Sequence, residues 1–303
     1  MNRNLTEIFK IPETIRVPYF GGKWYRFIVE QDNKSIIKET IPENPLNTEP
    51  RDEKVIVSLT SYPARIPFVH IAIKSLMLQS YKPDRIILWL AEEQFPEKEL
   101  PKALTELQKY GLEIIWMHDI YGHKKYFYPV LNQKENEVVI TFDDDIIYSK
   151  KAVERLMKTH LKHPDCLVVE RGQSFNENNM YNPGRWFTIS DVGVKTPSYS
   201  INPSPGGGCL IPYKAFHEDA CNEAKIRELA YKNDDIWYMF MCANNGTKIV
   251  KTRKYHRIFT VISGSQAEQM ATENVMNNYN EVIVRKLQEV YPDAWKRIVT
   301  DKD

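Results

Sequence analysis

A chain of 303 residues with 41 Lys and Arg against 40 Asp and Glu carries a formal net charge of +1, which excludes the basic excess of a general nucleic-acid binder. Its 42% hydrophobic content can fill one large α/β domain or two smaller units, so disorder is not the default. MNRNLTEIFK lacks a signal-type apolar stretch, and the longest apolar run, Ile236 to Ala243, is far short of the roughly 20 residues of a membrane span; a soluble, cytoplasmic protein is expected.

In chain order, RVPYF, KWYRFIVE and KSIIKET are strand-like runs split by Gly21-Gly22 and Asp32-Asn33, and IPENPLNTEP is a linker. Residues 1–52 are therefore expected to form a strand-rich appendage. KVIVSLTS is the continuous β-branched run of a strand buried on both faces, ending in the loop SYPARIP. Val69, Ala72, Ile73 and Leu76 follow helical spacing, RIILWLA is a second strand, and Leu100, Ala103, Leu104 and Leu107 mark a helix stopped at Gly111. LEIIWMH is a third strand, residues 119–136 a basic and aromatic connection, and EVVITF a fourth strand running into Asp143-Asp144-Asp145.

A helix from about Lys150 to His163, capped by Ser149, precedes the strand CLVVERG. Residues 174–205 read as a long loop with short strands. GGGCLIPY, a helix through AKIRELAY, a helix opening at Asn233-Asp234-Asp235, the strand TKIVKT and a helical tail complete the pattern. Repeated strand–helix–strand units predict an α/β fold with a mostly parallel sheet flanked by helices. Cys166, Cys209, Cys221 and Cys242 are too widely spaced for CxxC chemistry and read as free, packed thiols.

The chemistry is concentrated in TFDDDIIY, three carboxylates at the carboxyl end of a hydrophobic strand, where ligands bind in open α/β sheets. Alternation along an extended chain sends Asp143 and Asp145 one way and Asp144 the other. Three like charges call for a cation, and Mg²⁺ characteristically takes one or two protein carboxylates plus phosphate oxygens and water, so a metal bridging to a diphosphate accounts for them. The plain alternative is an acidic turn before a helix. Asn233-Asp234-Asp235 has a similarly plain reading, an N-cap followed by two aspartates favoured by the helix dipole.

Taken in order, VIVSLTSYPARI, RIILWL, VVITFDDDIIY, GGGCLIPY and NDDIW resemble a bacterial sugar-nucleotide-dependent glycosyltransferase of the GT-A fold, close to glycosyltransferase family 2. The resemblance spans roughly residues 54–262. It implies a Rossmann-like GT-A domain over residues 53–265, with a nucleotide-binding half (53–150) and an acceptor half (151–265), and a helical extension over 266–303. It further implies a DxD motif for Mn²⁺ or Mg²⁺ and donor at Asp143, Asp144 and Asp145. Asp145 would be the direct metal ligand and Asp143 nearer the ribose or a metal-bound water. One of Asp234 and Asp235, with Asp235 favoured, would be the base of an inverting transfer from a nucleoside-diphosphate sugar, of which a UDP-sugar is the expected class. The acceptor would be a hydroxyl of an oligosaccharide or lipid-linked glycan in a surface polysaccharide such as capsule or lipopolysaccharide. The family's usual Glu-Asp is Asp-Asp here.

In the loop after the first strand, Thr60, Ser61, Tyr62 and Arg65 are candidates for the nucleotide, and Lys124 and Lys125 for the diphosphate, although a lysine pair in a loop is commonly just solvated. His256 is a candidate third metal ligand, against the commoner structural role of a lone histidine. Gly206-Gly207-Gly208 lets backbone approach a bound sugar, with Gly207 and Gly208 assigned to the donor pocket, or forms a turn into CLIPY. Tyr181, Trp186, Tyr199 and Trp237 are candidate stacking residues, Trp237 more simply core. A metal-dependent phosphotransferase or phosphatase and a non-catalytic carbohydrate-binding module are the alternatives, the module normally being all-β. Residues 1–52 and 266–303 suit homodimerisation or peripheral docking to a membrane-bound assembly.

Overall fold

The computed structural model describes residues 23–174, 196–252, 260–265 and 279–301. The elements in chain order are α1 (Lys23–Lys38), β1 (Lys54–Thr60), α2 (Val69–Met77), β2 (Arg85–Ala91), α3 (Lys102–Thr105), β3 (Leu112–Met117), α4 (Lys124–Leu131), β4 (Glu137–Thr141) and β5 (Ile146–Ile147). Then come α5 (Ala152–His160), β6 (Leu167–Val169), β7 (Gly172–Ser174), β8 (Ile201–Pro203), β9 (Cys209–Ile211), α6 (Glu223–Leu229), α7 (Asp234–Asn245), β10 (Ile249–Lys251), β11 (Thr260–Val261), α8 (Tyr279–Val290) and α9 (Pro292–Thr300).

Seven strands form the central sheet in the order β10-β6-β9-β4-β1-β2-β3. All neighbouring pairs are parallel except those of β9, which runs against both β4 and β6. The α/β class with a mostly parallel sheet is thus as expected, and helices cover both faces. Alternate residues of the central strands supply the two cores. Val55, Val57 and Leu59 of β1 join Ile86, Leu88 and Leu90 of β2 beneath α2 and α5. Ile56, Ile87 and Val139 face a larger cluster built from α4, α7, α8 and α9.

Three local expectations are corrected. KWYRFIVE and KSIIKET are not strands but one helix, α1. Its buried positions Ile28, Val29, Asp32, Asn33 and Ile36 recur at helical spacing, and Asp32-Asn33, a turn signal by composition, is enclosed rather than exposed. The connection around Lys124 is the helix α4 despite Pro129 inside it. Proline has no N–H to offer the carbonyl four residues back, Lys125 O, and the Ser58 hydroxyl of β1 donates to that oxygen instead. Ser149 does not cap α5 with its side chain, which instead accepts from Arg155 Nη2 at 2.9 Å.

Helix α7 follows the sequence closely. Asn233 Oδ1 accepts from Ile236 N at 2.9 Å, and Gly246 closes the helix at φ 79°. Trp237 is fully buried and donates Nε1–H to Ala220 O at 3.3 Å, so it is core and not a sugar platform. Trp237→Ala is expected to cost about 3–5 kcal/mol of stability, read by urea unfolding; a change under about 1 kcal/mol would contradict its place in the core.

Candidate functional site

The acidic run lies at the carboxyl end of β4, but not with the alternation of an extended strand. β4 ends at Thr141 and the chain turns through Asp144 and Asp145 into β5. Asp144 and Asp145 consequently share one partner: Arg65 Nη1 is 2.8 Å from Asp144 Oδ1 and 2.9 Å from Asp145 Oδ2. Asp143 goes elsewhere, to Lys125 Nζ at 2.9 Å. This corrects the pairing of Asp143 with Asp145, and the turn is its physical reason.

Lys125 also reaches Asp234 Oδ2, at 2.8 Å. The lysine is buried, in contrast to the solvated pair that composition favours. Burial opposes its charge, yet Asp143 and Asp234 together hold its pKa above the ordinary lysine value. Reciprocally, burial works against ionisation of Asp234, and the Lys125 ammonium overcomes it, so that Asp234 stays below the usual carboxylate range. Asp235, next in sequence, has the opposite fate: burial and the adjacent Asp234 charge push its carboxyl well above that range. Burial leaves Asp144 raised as well, against the lowering effect of Arg65 and of Ser61, whose Oγ donates to Asp144 Oδ2 at 2.6 Å.

The other candidates divide. Arg65 is buried, its charge favoured by Asp144 and Asp145 against the cost of burial, and its guanidinium lies 5.5 Å from the Tyr62 ring. The Tyr62 carbonyl accepts from Arg65 N and Ile66 N, which fixes the turn carrying the arginine. Thr60 Oγ1 donates to Trp89 O at 2.8 Å, within the β1–β2 pair. Lys124 is engaged with Asp119 and with Tyr121 O. Tyr199 donates to Gly246 O at 3.1 Å. His256, Tyr181 and Trp186 lie outside the described residues.

Among the three glycines the first makes the closest approach. A Cβ on Gly206 would stand 1.6 Å from Asp143 Oδ2, so only glycine leaves the carboxylate its place. Gly206 O also accepts from Asp143 N at 3.1 Å and from the Tyr148 hydroxyl at 2.5 Å. Gly207 N donates to Ser204 O, and Gly208, at φ +107°, would carry a Cβ 3.0 Å from the Phe142 ring. Tyr148 and Ser58 are site-shaping residues that the sequence does not single out: nothing in a lone tyrosine after DDD, or a lone serine in an apolar strand, marks a hydrogen-bonding partner.

The carboxylates here are hard oxygen donors of the type Mg²⁺ and Mn²⁺ prefer. Among the described residues no three His, Cys, Asp or Glu side chains stand together as a protein cage. The fit is to a cation held by one or two carboxylates and completed by phosphate and water. Asp143 is the more open donor, its side chain 39% exposed against 12% for Asp145. Among the described residues no helix is long and apolar enough to cross a membrane.

No family model matches this chain, and no curated protein matches it in sequence. Solved structures similar to it include the mannosyltransferase PcManGT from Pyrobaculum calidifontis, in complex with GDP-Man and Mn²⁺. The match has 12% identity and a TM-score of 0.41, covering 75% of this chain and 61% of that one. Another is a 4-diphosphocytidyl-2C-methyl-D-erythritol synthase from Anaerococcus prevotii DSM 20548, at 14% identity and a TM-score of 0.42, covering 76% of this chain and 97% of that one. The chain therefore spans under two thirds of the mannosyltransferase's length.

Behind Lys125, His123 is completely buried, with Nε2 3.0 Å from Ala230 O and Nδ1 3.1 Å from the Tyr126 hydroxyl. Burial lowers its pKa from 6.5 to about 4, partly offset by Asp234. The unfolded chain thus binds the extra proton first, so stability is fully present above pH 6.5 and falls by about 3 kcal/mol as pH drops towards 4. His123→Gln should remove that part of the acid-side slope in unfolding titrations; an unchanged slope would refute neutral burial of His123.

Proposed function

We propose that the protein is a GT-A-fold glycosyltransferase that moves a sugar from a nucleoside-diphosphate donor, expected to be a UDP-sugar, to a glycan hydroxyl with inversion. The observation that supports this reading is the Lys125 bridge from Asp143 to Asp234, which brings the acidic turn beside a second, electrostatically split pair of carboxylates. Glycosyl transfer needs those two parts, because the acceptor hydroxyl loses a proton as the diphosphate leaves with negative charge. In this reading residues 53–265 are the catalytic domain, and the acceptor belongs to a growing surface polysaccharide or glycolipid.

Asp235 is the base. A carboxyl raised above the usual range accepts a proton more readily than an ordinary carboxylate once ionised, and Asp234, held as an anion by Lys125, keeps its neighbour raised. Asp145 would hold the cation, Mn²⁺ or Mg²⁺, which would supply charge neutralisation at the leaving diphosphate, and Asp143, turned towards Lys125, would lie nearer the ribose or a metal-bound water. Arg65 keeps Asp144 and Asp145 from repelling each other before donor arrives, and Gly206 leaves room for the Asp143 carboxylate. Ser61 fixes Asp144, and the turn through Gly207 and Gly208 borders the donor sugar.

Transfer and hydrolysis assays over a panel of sugar nucleotides, with and without Mn²⁺, test the reading. Asp145→Asn should lose metal-stimulated transfer by at least about 100-fold while remaining folded; normal turnover would sink the metal assignment. Asp235→Asn should bind donor and not transfer, whereas inactivity confined to Asp234→Asn would move the base to that residue. Gly206→Ala forces Asp143 aside and should weaken Mn²⁺-dependent nucleoside-diphosphate binding about tenfold or more, measured by calorimetry; wild-type affinity would detach Asp143 from that site.

A further inference from the structure

Helix α1 takes no part in the chemistry above, yet two of its side chains grip a segment that is itself bonded to the acidic turn. Asn33, 7% exposed, offers its amide as a peptide group would: Nδ2 donates to Val261 O at 3.0 Å and Oδ1 accepts from Ser263 N at 3.0 Å. The second Nδ2 hydrogen returns to Val29 O of α1 at 2.8 Å. Beside it the buried Asp32 carboxyl accepts from Thr260 Oγ1 at 2.5 Å. The gripped segment is β11, which pairs Val261 with Ile146 and Thr260 with Ile147, and continues so that Ile262 N donates to Asp145 O at 2.8 Å.

We infer that Asn33 is a positioning residue for Asp145, acting through the β5–β11 ribbon. This rests on the reading that Asp145 serves a cation and nucleoside diphosphate. The ribbon has two residues per strand, too few to hold its own register in water. Ile36, Ala72, Ile147 and Ile262 form a small apolar cluster that attaches it to α1 and α2. Apolar contact gives attachment without register, because it is non-directional. The amide of Asn33, a donor and an acceptor matched to backbone groups two residues apart, fixes where Ile262 N–H meets Asp145 O. That peptide in turn aims the Asp145 carboxylate, whose Oδ2 lies 2.9 Å from Arg65. Leucine has a similar volume and neither hydrogen-bonding group. Losing a partner that orients a ligand characteristically costs roughly 10–100-fold in metal affinity.

The test compares the full-length wild type, Asn33→Leu and Asp145→Asn in two measurements: amide hydrogen exchange, and calorimetric binding of UDP and GDP with Mn²⁺. Asn33→Leu should speed exchange of the Ile262 amide about tenfold or more, leave Val57 and Leu59 of β1 as in the wild type, and weaken binding roughly 10–100-fold. Wild-type exchange at Ile262 overturns the inference. So does wild-type binding by Asn33→Leu when Asp145→Asn has lost it. If the wild type binds neither nucleotide with Mn²⁺, the glycosyltransferase reading fails by itself, and exchange at Ile262 alone decides whether Asn33 orders the acidic turn. Should Asn33→Leu not fold, Asn33→Asp, which keeps the size and the acceptor but loses both donors, is read by the same two criteria.

Discussion

Lys125 carries its ammonium into a place almost closed to water and divides it between Asp143 and Asp234, and a charge so withdrawn is tolerable only because two carboxylates meet it. The contact ties the end of β4 to the start of α7, two elements far apart in sequence, and it separates the ionisation of Asp234 from that of Asp235. Desolvation makes each charge depend on the others: with Lys125 absent, Asp143 and Asp234 would face one another without compensation. The net charge of only +1 conceals this arrangement, in which acids and bases are sorted locally and paired.

The position of that ammonium is set from the sheet. Ser58 interrupts the apolar run of β1, and its hydroxyl both donates to Lys125 O and accepts from Trp89 Nε1 at 2.8 Å. One polar atom in a dry strand thus answers the carbonyl that Pro129 leaves without a helical partner, and holds the first turn of α4 against the sheet. Arg65 performs the parallel task for the other two aspartates from the loop that follows the same strand. β1 is therefore the element from which both counter-charges are positioned.

The architecture was legible wherever a single physical rule governed a segment. The apolar runs of β1, β2 and β4, the spacing of Val69, Ala72, Ile73 and Leu76, the Asn233 cap and the glycine stop at Gly111 all depend on local pattern, and they stand in the structure as read. The acidic turn and the Asp234-Asp235 pair were legible as residues but not as geometry, because which carboxylate meets which base is decided by a turn after Thr141 and by long-range contacts. Helices α1 and α4 were misread for a related reason. Asp32-Asn33 looks like a turn until the Thr260 hydroxyl and the backbone of Val261 and Ser263 satisfy it, and Lys124-Lys125 with Pro129 looks like a loop until Ser58 and the carboxylates do the same.

The reversed direction of β9 has a consequence for how the protein can vary. In the parallel strands the loops after the carboxyl ends, such as Ser61 to Arg65 after β1, lie near the acidic turn. With β9 it is the preceding segment, Pro205 to Gly208, that lies there, and the chain leaves at Ile211, paired with Val139 in the middle of β4, towards the opposite edge. Length changes after β9 would therefore fall on the edge remote from Asp143, whereas those before it would fall on the Gly206 turn, which has no room beside that carboxylate even for a Cβ. Tolerance to insertion is thus inverted at this strand relative to its neighbours.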